Sequence, residues 1–367
     1  MKEIINLHDC QTKLVESAIP EINDDQVLIR VVVSGSNPKD WKVPDLAHSE
    51  EKPYFERYEK VRQGVNQGDD IAGVVEKVGK NVVEFQPGDR VGAFHEMLMP
   101  GGSYAEYAVA WSHTTFHLPE KISFEEAATI PLAGLTAVVS LYHHLGFQLP
   151  WSPAAKGKIP SATTPFIVYG ASTAVGSYAI KLARLSNIHP IIAIAGKGAH
   201  YIRKFLDESK GDVVVDYREG PEKTAAGIRN ALRSSTGDND LPANHALDTI
   251  VTVDSTAVLR SVMNPGGNIN YVLMSPPDVS PAVASNTWVS SAHQIGGVDD
   301  CRDLCFVFCR WFTRALQSGE LESHPFEVRK DGLMGIEGAM RDLRDGKASA
   351  VKYVFRIGET PGLEKSA

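Results

Sequence analysis

The sequence predicts an α/β protein of two parts, a barrel-like β region followed by a doubly wound parallel sheet. Three observations carry that prediction. The first third places apolar runs between Gly and Pro turns, and from Phe166 onward short apolar runs alternate with helix-length segments. The length of 367 residues also exceeds what one hydrophobic core usually serves.

The first third supplies runs at Val27 to Val33, Gly73 to Val78, Arg90 to Phe94 and Tyr104 to Ala110, punctuated by turns such as Pro87-Gly88-Asp89. Leu132 to Leu145 reads as a helix, and a Pro-, Ser- and Ala-rich connector follows from Pro150 to Pro165. Beyond it, apolar runs at Phe166 to Tyr169, Ile191 to Ala195, Val213 to Val215, Thr249 to Val253 and Ile269 to Val272 read as buried parallel strands joined by crossover helices. The tail reads as an amphipathic helix over Asp300 to Gln317, a second around Ile336 to Asp345, and a last strand, Lys352 to Ile357, that can return to the first region. The expected division is residues 1–128 with 299–367 for one domain and 129–298 for the other.

Composition narrows the function classes. Apolar residues make up 43% and charged residues 22%, which is ordinary globular usage. The net charge of -8 is scattered, without the basic stripe that nucleic acid requires. No apolar run is read as approaching the roughly 20 residues that span a bilayer. Met1 to Gln11 lacks a secretory apolar stretch, so a cytoplasmic protein is expected. Cys10 stands alone, whereas Cys301, Cys305 and Cys309 share one helical stripe and read as core packing rather than a metal site.

The strand Phe166 to Tyr169 runs directly into Gly170-Ala171-Ser172-Thr173-Ala174-Val175-Gly176, and Val175, Ala179, Leu182 and Leu185 then recur on one helical face. Small residues let the backbone approach a phosphate, and the open amides at a helix N-terminus stabilise its charge. Ser172, Thr173 and Ala174 stand where glycines often do, so the turn is an imperfect dinucleotide fingerprint whose context strengthens it. After the second strand, Ala195-Gly196-Lys197-Gly198 offers no carboxylate for a ribose hydroxyl, and Lys197 offers a charge to a 2′-phosphate. NADPH is therefore the expected cofactor; the bland alternative for Lys197 is a solvated surface lysine. His95-Glu96 does not complete a metal-binding H-E-x-x-H pattern and reads as a loop histidine, and His143-His144 reads as structural.

Several signatures stand in order along the chain: Asn37-Pro38-Lys39-Asp40, Gly68-Asp69-Asp70-Ile71-Ala72-Gly73, Pro87-Gly88-Asp89-Arg90-Val91, Gly102-Ser103-Tyr104-Ala105-Glu106-Tyr107, Ile130-Pro131-Leu132-Ala133-Gly134-Leu135-Thr136, and the dinucleotide turn. In these the chain resembles the medium-chain dehydrogenase/reductase superfamily over nearly its full length. The resemblance implies a GroES-like β-barrel catalytic domain plus a doubly wound Rossmann domain. Zinc-dependent members hold their metal at places that here carry the Gly35-Ser36 region, Asp69 and Leu132, so the thiol and imidazole donors are missing. What remains resembles zinc-free quinone oxidoreductases and enoyl reductases, and Asn37 to Lys42 is similar to fungal trans-acting enoyl reductases that serve polyketide synthases.

By that resemblance Lys197 and Tyr217 contact the 2′-phosphate, Thr136 sits near the nicotinamide, and Asn37 and Lys42 face the same cleft. Val253 and Asp254 join Gly170, Ala171, Ser172, Thr173, Ala174 and Val175 in the expected cofactor-binding set. Lys42 is the candidate for polarising a substrate carbonyl, with Thr136 and Asn37 beside it; the alternative for Lys42 is a salt bridge to Asp40 or Asp45. The segment Val43 to Gln67 is longer and more charged than the resemblance leads one to expect. Its Tyr54, Phe55 and Tyr58 either line a pocket or pack a surface helix. The expected activity is NADPH-dependent hydride transfer to an activated double bond, enone or enoyl thioester, or to a quinone. The other reading is a non-catalytic NADPH-binding sensor or partner protein. Partners are a small conjugated carbonyl or quinone substrate and a polyketide synthase, with neither nucleic acid nor membrane.

Overall fold

A computed structural model describes residues 1–50, 58–158, 163–234, 241–296 and 299–363. The N-terminal strands are β1 (Lys2–Asn6), β2 (Thr12–Glu16), β3 (Gln26–Gly35), β4 (Asp70–Val78), β5 (Arg90–Phe94), β6 (Tyr107–Trp111) and β7 (Thr115–His117). β1 and β2 form an antiparallel pair that the sequence reading did not include. β3 is the spine of the main sheet. It pairs antiparallel with β4 and with β6, and its apolar positions Val27, Ile29, Val31 and Val33 are buried, the first three in one core with Val75, Val91, Met340 and Phe355.

Helix α1 (Lys39–Ala47) leaves the end of β3, and α2 (Phe124–Ala127) begins at a capping box in which Ser123 and Glu126 satisfy each other's backbone donors. Helix α3 (Pro131–Val138) continues into a π-helical turn over Val139–His144. By length and composition the stretch Phe124–His144 would suffice to cross a membrane, which corrects the expectation that no such run exists. Most of it is buried inside the protein, as in the core helix of a globular fold.

The second region is a six-stranded, all-parallel sheet. Its strands are β8 (Phe166–Tyr169), β9 (Ile191–Ala195), β10 (Val213–Asp216), β11 (His245–Asp248), β12 (Asn268–Tyr271) and β13 (Val283–Asn286). Their spatial order is β10-β9-β8-β11-β12-β13, so the chain works outward from β8 in one direction and then the other. That reversal beside β8 creates the switch point at which such sheets bind ligands. Helices α4 (Ala174–Leu185), α5 (Ala199–Arg203), α6 (Pro221–Ser234) and α7 (Val253–Val262) provide the crossovers.

Two expectations shift here. The run Thr249 to Val253 is not a strand: β11 ends at Asp248, whose Oδ1 accepts the amides of Ile250 and Val251 and turns the chain. Thr252 then caps α7, so Val253 and Asp254 open a helix rather than end a strand. β13 adds a sixth strand; its sequence, Val283-Ala284-Ser285-Asn286, is too polar and short to stand out.

The chain then forms α8 (Arg302–Ser318) and α9 (Ile336–Arg344), with β14 (Phe326–Arg329) between them and β15 (Lys352–Arg356) at the end. β15 pairs with β14 and, antiparallel, with β3, so the last strand completes the first sheet as its apolar pattern suggests. Cys301, Cys305 and Cys309 are buried; burial pushes the Cys305 thiol well up and that of Cys309 to about 12, in keeping with packing. The described chain divides into two units, residues 1–132 with 292–367 and residues 133–291.

Candidate active site

In the barrel unit the turn after β3 leads into a buried polar network. Asn37 donates its backbone N–H to Asp40 Oδ2 at 2.7 Å and its side-chain amide to Asp70 Oδ2 at 2.6 Å, while its Oδ1 accepts from Lys352 Nζ at 3.0 Å. Lys352, on β15, also reaches Asp70 Oδ2 at 2.6 Å, and Asp70 Oδ1 accepts the Leu132 amide at 2.7 Å. Tyr104 donates its hydroxyl to Asp40 Oδ2 at 2.5 Å. Lys39 Nζ lies 2.5 Å from Asp69 Oδ2 and 3.3 Å from Asp40 Oδ1, and His95 Nδ1 meets Asp69 Oδ1 at 2.9 Å.

Desolvation dominates the electrostatics here. Burial pushes the Asp40 carboxyl up to about 6 against the pull of Lys39 and Tyr104. Burial would also raise Asp69, but Lys39 and His95 more than offset it and hold that carboxyl low. The Tyr104 hydroxyl is pushed well up by burial and by Asp40 beside it. His95, in the loop after β5, is a buried member of the network; its Nε2 faces the Pro100 carbonyl at 3.3 Å.

Lys42 sits one turn along α1, half-buried, with its ammonium 5.6 Å from the Trp41 ring. It forms no salt bridge to Asp40 or Asp45: Asp40 pairs with Lys39, and Asp45 accepts the Asp9 amide and lies near His8. Desolvation alone lowers the Lys42 ammonium from the ordinary lysine value. Tyr58 is buried with Val43, Ala47 and Val61, the packing alternative for that segment, while Tyr54 and Phe55 lie outside the described residues, as does Pro160 of the connector.

In the sheet unit, Gly170 follows β8 with φ +78°, a conformation open to glycine at no steric cost, and a Cβ there would lie 2.3 Å from Thr249 Oγ1. A Cβ on Gly176 would lie 2.3 Å from the Gly170 carbonyl oxygen, so the strand and helix approach as closely as backbones allow. Thr173 caps α4 by accepting the Gly176 amide at 3.0 Å and donates to Thr249 at 3.0 Å. The Ala171 amide is used by Ile194 and that of Thr173 by Gly170. Among the described residues the amides of Ser172, Ala174 and Val175 have no acceptor, which is the pattern an anion needs at a helix N-terminus. Glycines, cap and open amides therefore fit a diphosphate.

Past β9, Lys197 is exposed, and Tyr217 rests on the backbone beside it: a Cβ on Gly196 would lie 2.9 Å from Tyr217 Cε1. Arg218, which the sequence reading did not select, stacks its stem against the same glycine and pairs with Asp216, donating from Nε at 3.0 Å. The nearby acidic side chain is thereby neutralised. The loop after β11 holds Val251 at φ 56°, a strained setting for a β-branched residue that Asp248 maintains. Val253 and Asp254 stand exposed after it, and Thr136 is buried in α3.

The chain thus carries an antiparallel sheet in one unit and, in the other, a parallel sheet of doubly wound order with a turn at its switch point whose open amides suit an anion. The alcohol dehydrogenase GroES-like domain model matches residues 23–120. Trans-enoyl reductase fsr4 of Gibberella fujikuroi is 38% identical over 89% of this chain and 90% of its own. Trans-enoyl reductase resD of Aspergillus sclerotiorum is 32% identical over 97% of this chain and 100% of its own. In fold, the chain is similar to a putative zinc-dependent alcohol dehydrogenase protein from Rhizobium etli, with a TM-score of 0.76 at 21% identity, covering 99% of both chains. The chain belongs to the medium-chain dehydrogenase/reductase superfamily and is an oxidoreductase of its enoyl reductase type, a family whose cofactor is a nicotinamide.

Proposed function

We propose that this chain is a zinc-independent, NADPH-dependent reductase of an activated double bond, an enone or an enoyl thioester, or of a quinone. The observation that carries the reading is the turn after β8, with open amides at Ser172, Ala174 and Val175, taken with Lys197, Tyr217 and Arg218 past β9 and β10. The amides and the α4 dipole receive the diphosphate, and the lysine and arginine suit a 2′-phosphate better than a free ribose hydroxyl. Val253 and Asp254, exposed at the start of α7, remain part of the proposed cofactor surface.

The bound nicotinamide supplies the hydride when the cofactor is present. The chain itself must stabilise the negative charge that grows on the substrate oxygen. Lys42 suits that task because, among the described residues, no carboxylate pairs with it and desolvation strengthens its field. Asn37 has both ends of its amide committed to Asp70 and Lys352, so its part is to hold the turn that precedes Lys42. Thr136 orients the carboxamide or the substrate oxygen.

Zinc does not fit the donor set. At the corresponding places Asp69 is bound by Lys39 and His95, Leu132 offers only an amide already given to Asp70, and the Gly35-Ser36 region has no thiol. A polyketide synthase that supplies an enoyl thioester, and a cytoplasmic location, complete the reading carried by the sequence resemblance.

The test is a panel of enones, enoyl thioesters and quinones monitored through NADPH absorbance, run on the natural chain and on Lys42→Ala. At least one substrate is expected to turn over, with kcat lowered by about 100-fold in the variant. Turnover by neither chain on any substrate favours a non-catalytic binding protein, and unchanged turnover in Lys42→Ala removes Lys42 from the mechanism.

A further inference from the structure

The Lys39 ammonium is enclosed as a free cation would be. Four oxygens from two segments surround it: Asp69 Oδ2 at 2.5 Å, the Gln67 carbonyl at 2.5 Å, Gln67 Oε1 at 3.1 Å and Asp40 Oδ1 at 3.3 Å. Its side chain is 14% exposed, against 0% for both carboxylates. Among the described residues no other group bonds Asp69 Oδ2 or Asp40 Oδ1, so this one ammonium is their sole partner.

The placement also runs against the helix. Lys39 is the first residue of α1, where a cation opposes the macrodipole, so the carboxylates rather than the helix must hold it there. The surrounding titratable groups are Asp40 on α1, Asp69 just before β4 and Asp70 at its start, His95 after β5, Tyr104, and Lys352 on β15. Two lysines therefore face three carboxylates, and loss of Lys39 would leave two of those carboxylates short of a counter-charge.

We propose that Lys39 is a positioning residue that acts as a tethered cation. Its ammonium fills a four-oxygen site, ties the start of α1 to the Gln67-Asp69 segment, and so fixes the direction of Lys42 one turn later. Only the activity arm of the test rests on the reductase reading. The site itself is tested by stability.

Lys39→Ala removes three carbons and the nitrogen, the volume of n-propylammonium. The full-length variant is compared with the natural chain in thermal midpoint and in NADPH-dependent turnover, with n-propylammonium chloride or an equal concentration of tetramethylammonium chloride. The expected result is a lowered midpoint and a loss of about 100-fold in kcat, of which n-propylammonium restores a part in both readouts. Tetramethylammonium, which has no N–H to donate, restores neither. Lys39→Met, whose side chain fills the space, is not rescued, and its deficit in midpoint shrinks as pH falls and the buried carboxylates take up protons.

A Lys39→Ala protein with the natural midpoint and kcat overturns the proposal. So does a folded variant that responds equally to the two ammonium salts. If Lys39→Ala does not fold in plain buffer, its refolding yield with each salt is the readout, and equal yields overturn the proposal. A midpoint rescue alongside no turnover by the natural chain leaves the tethered cation standing and sinks the reductase reading instead.

Discussion

In the barrel unit, Lys39 and Lys352 meet Asp40, Asp69 and Asp70 below the surface, so both ammonium groups have carboxylate partners within the chain. At the turn after β8, three amides have no acceptor among the described residues and Lys197 stands exposed. The first arrangement spends its charges on holding a backbone turn in one place. The second keeps donors unspent, which costs little while water can reach them and becomes useful when an anion arrives. A buried charge network is thus evidence of positioning, and an unsatisfied helix start is evidence of binding.

The comparison breaks most visibly if Lys352 is lost. Lys352→Met leaves Asp70 buried without its ammonium, and removal of one partner of a buried pair costs about 3–5 kcal/mol. Chemical denaturation should show that loss, and Lys352→Met combined with Asp70→Asn should recover part of it. A lone Lys352→Met of natural stability would mean that the network is ornamental.

A smaller effect is expected from the other side of the comparison. Gly176→Val drives a side chain into the Gly170 carbonyl and spoils the amide turn, so NADPH affinity measured by calorimetry should fall by about 100-fold, or 2.7 kcal/mol. Lys197→Ala should weaken NADPH by about tenfold and leave NADH unchanged, since only one of the two carries the phosphate that lysine meets. Equal losses for both cofactors would move Lys197 away from the 2′-phosphate.

A further expected change is one of slope. Asp40 binds its proton more tightly folded, at about 6, than at the ordinary 3.8, so between those values the folded state holds more protons than the unfolded one. Stability from this group therefore falls as pH rises from about 4 to about 6, and the loss is complete above that window. Asp40→Asn should flatten this part of the stability profile. An unchanged slope would show that Asp40 does not titrate there.

Much of the sheet unit was legible because its signals are local. Phe166 to Gly176 announces strand, turn and helix within eleven residues, and the structure has them in that order. The run Thr249 to Val253 misled because β-branched residues read as strand, whereas Asp248 bends the chain with one carboxylate and Thr252 caps a helix. The barrel network was much harder to read. Asn37 to Lys42 stood out as a motif, but Lys352 lies 315 residues from Asn37 and 282 from Asp70, and no local pattern links them. Arg218 escaped notice for a different reason: its stem reaches Gly196 only because β10 lies beside β9.

The most direct measurement of the central claim is equilibrium binding of NADPH and NADH to the full chain at one salt concentration. Open amides and an exposed lysine beside Tyr217 and Arg218 predict saturable NADPH binding at least about tenfold tighter than NADH. NADH binding as tightly as NADPH, or more tightly, would contradict it.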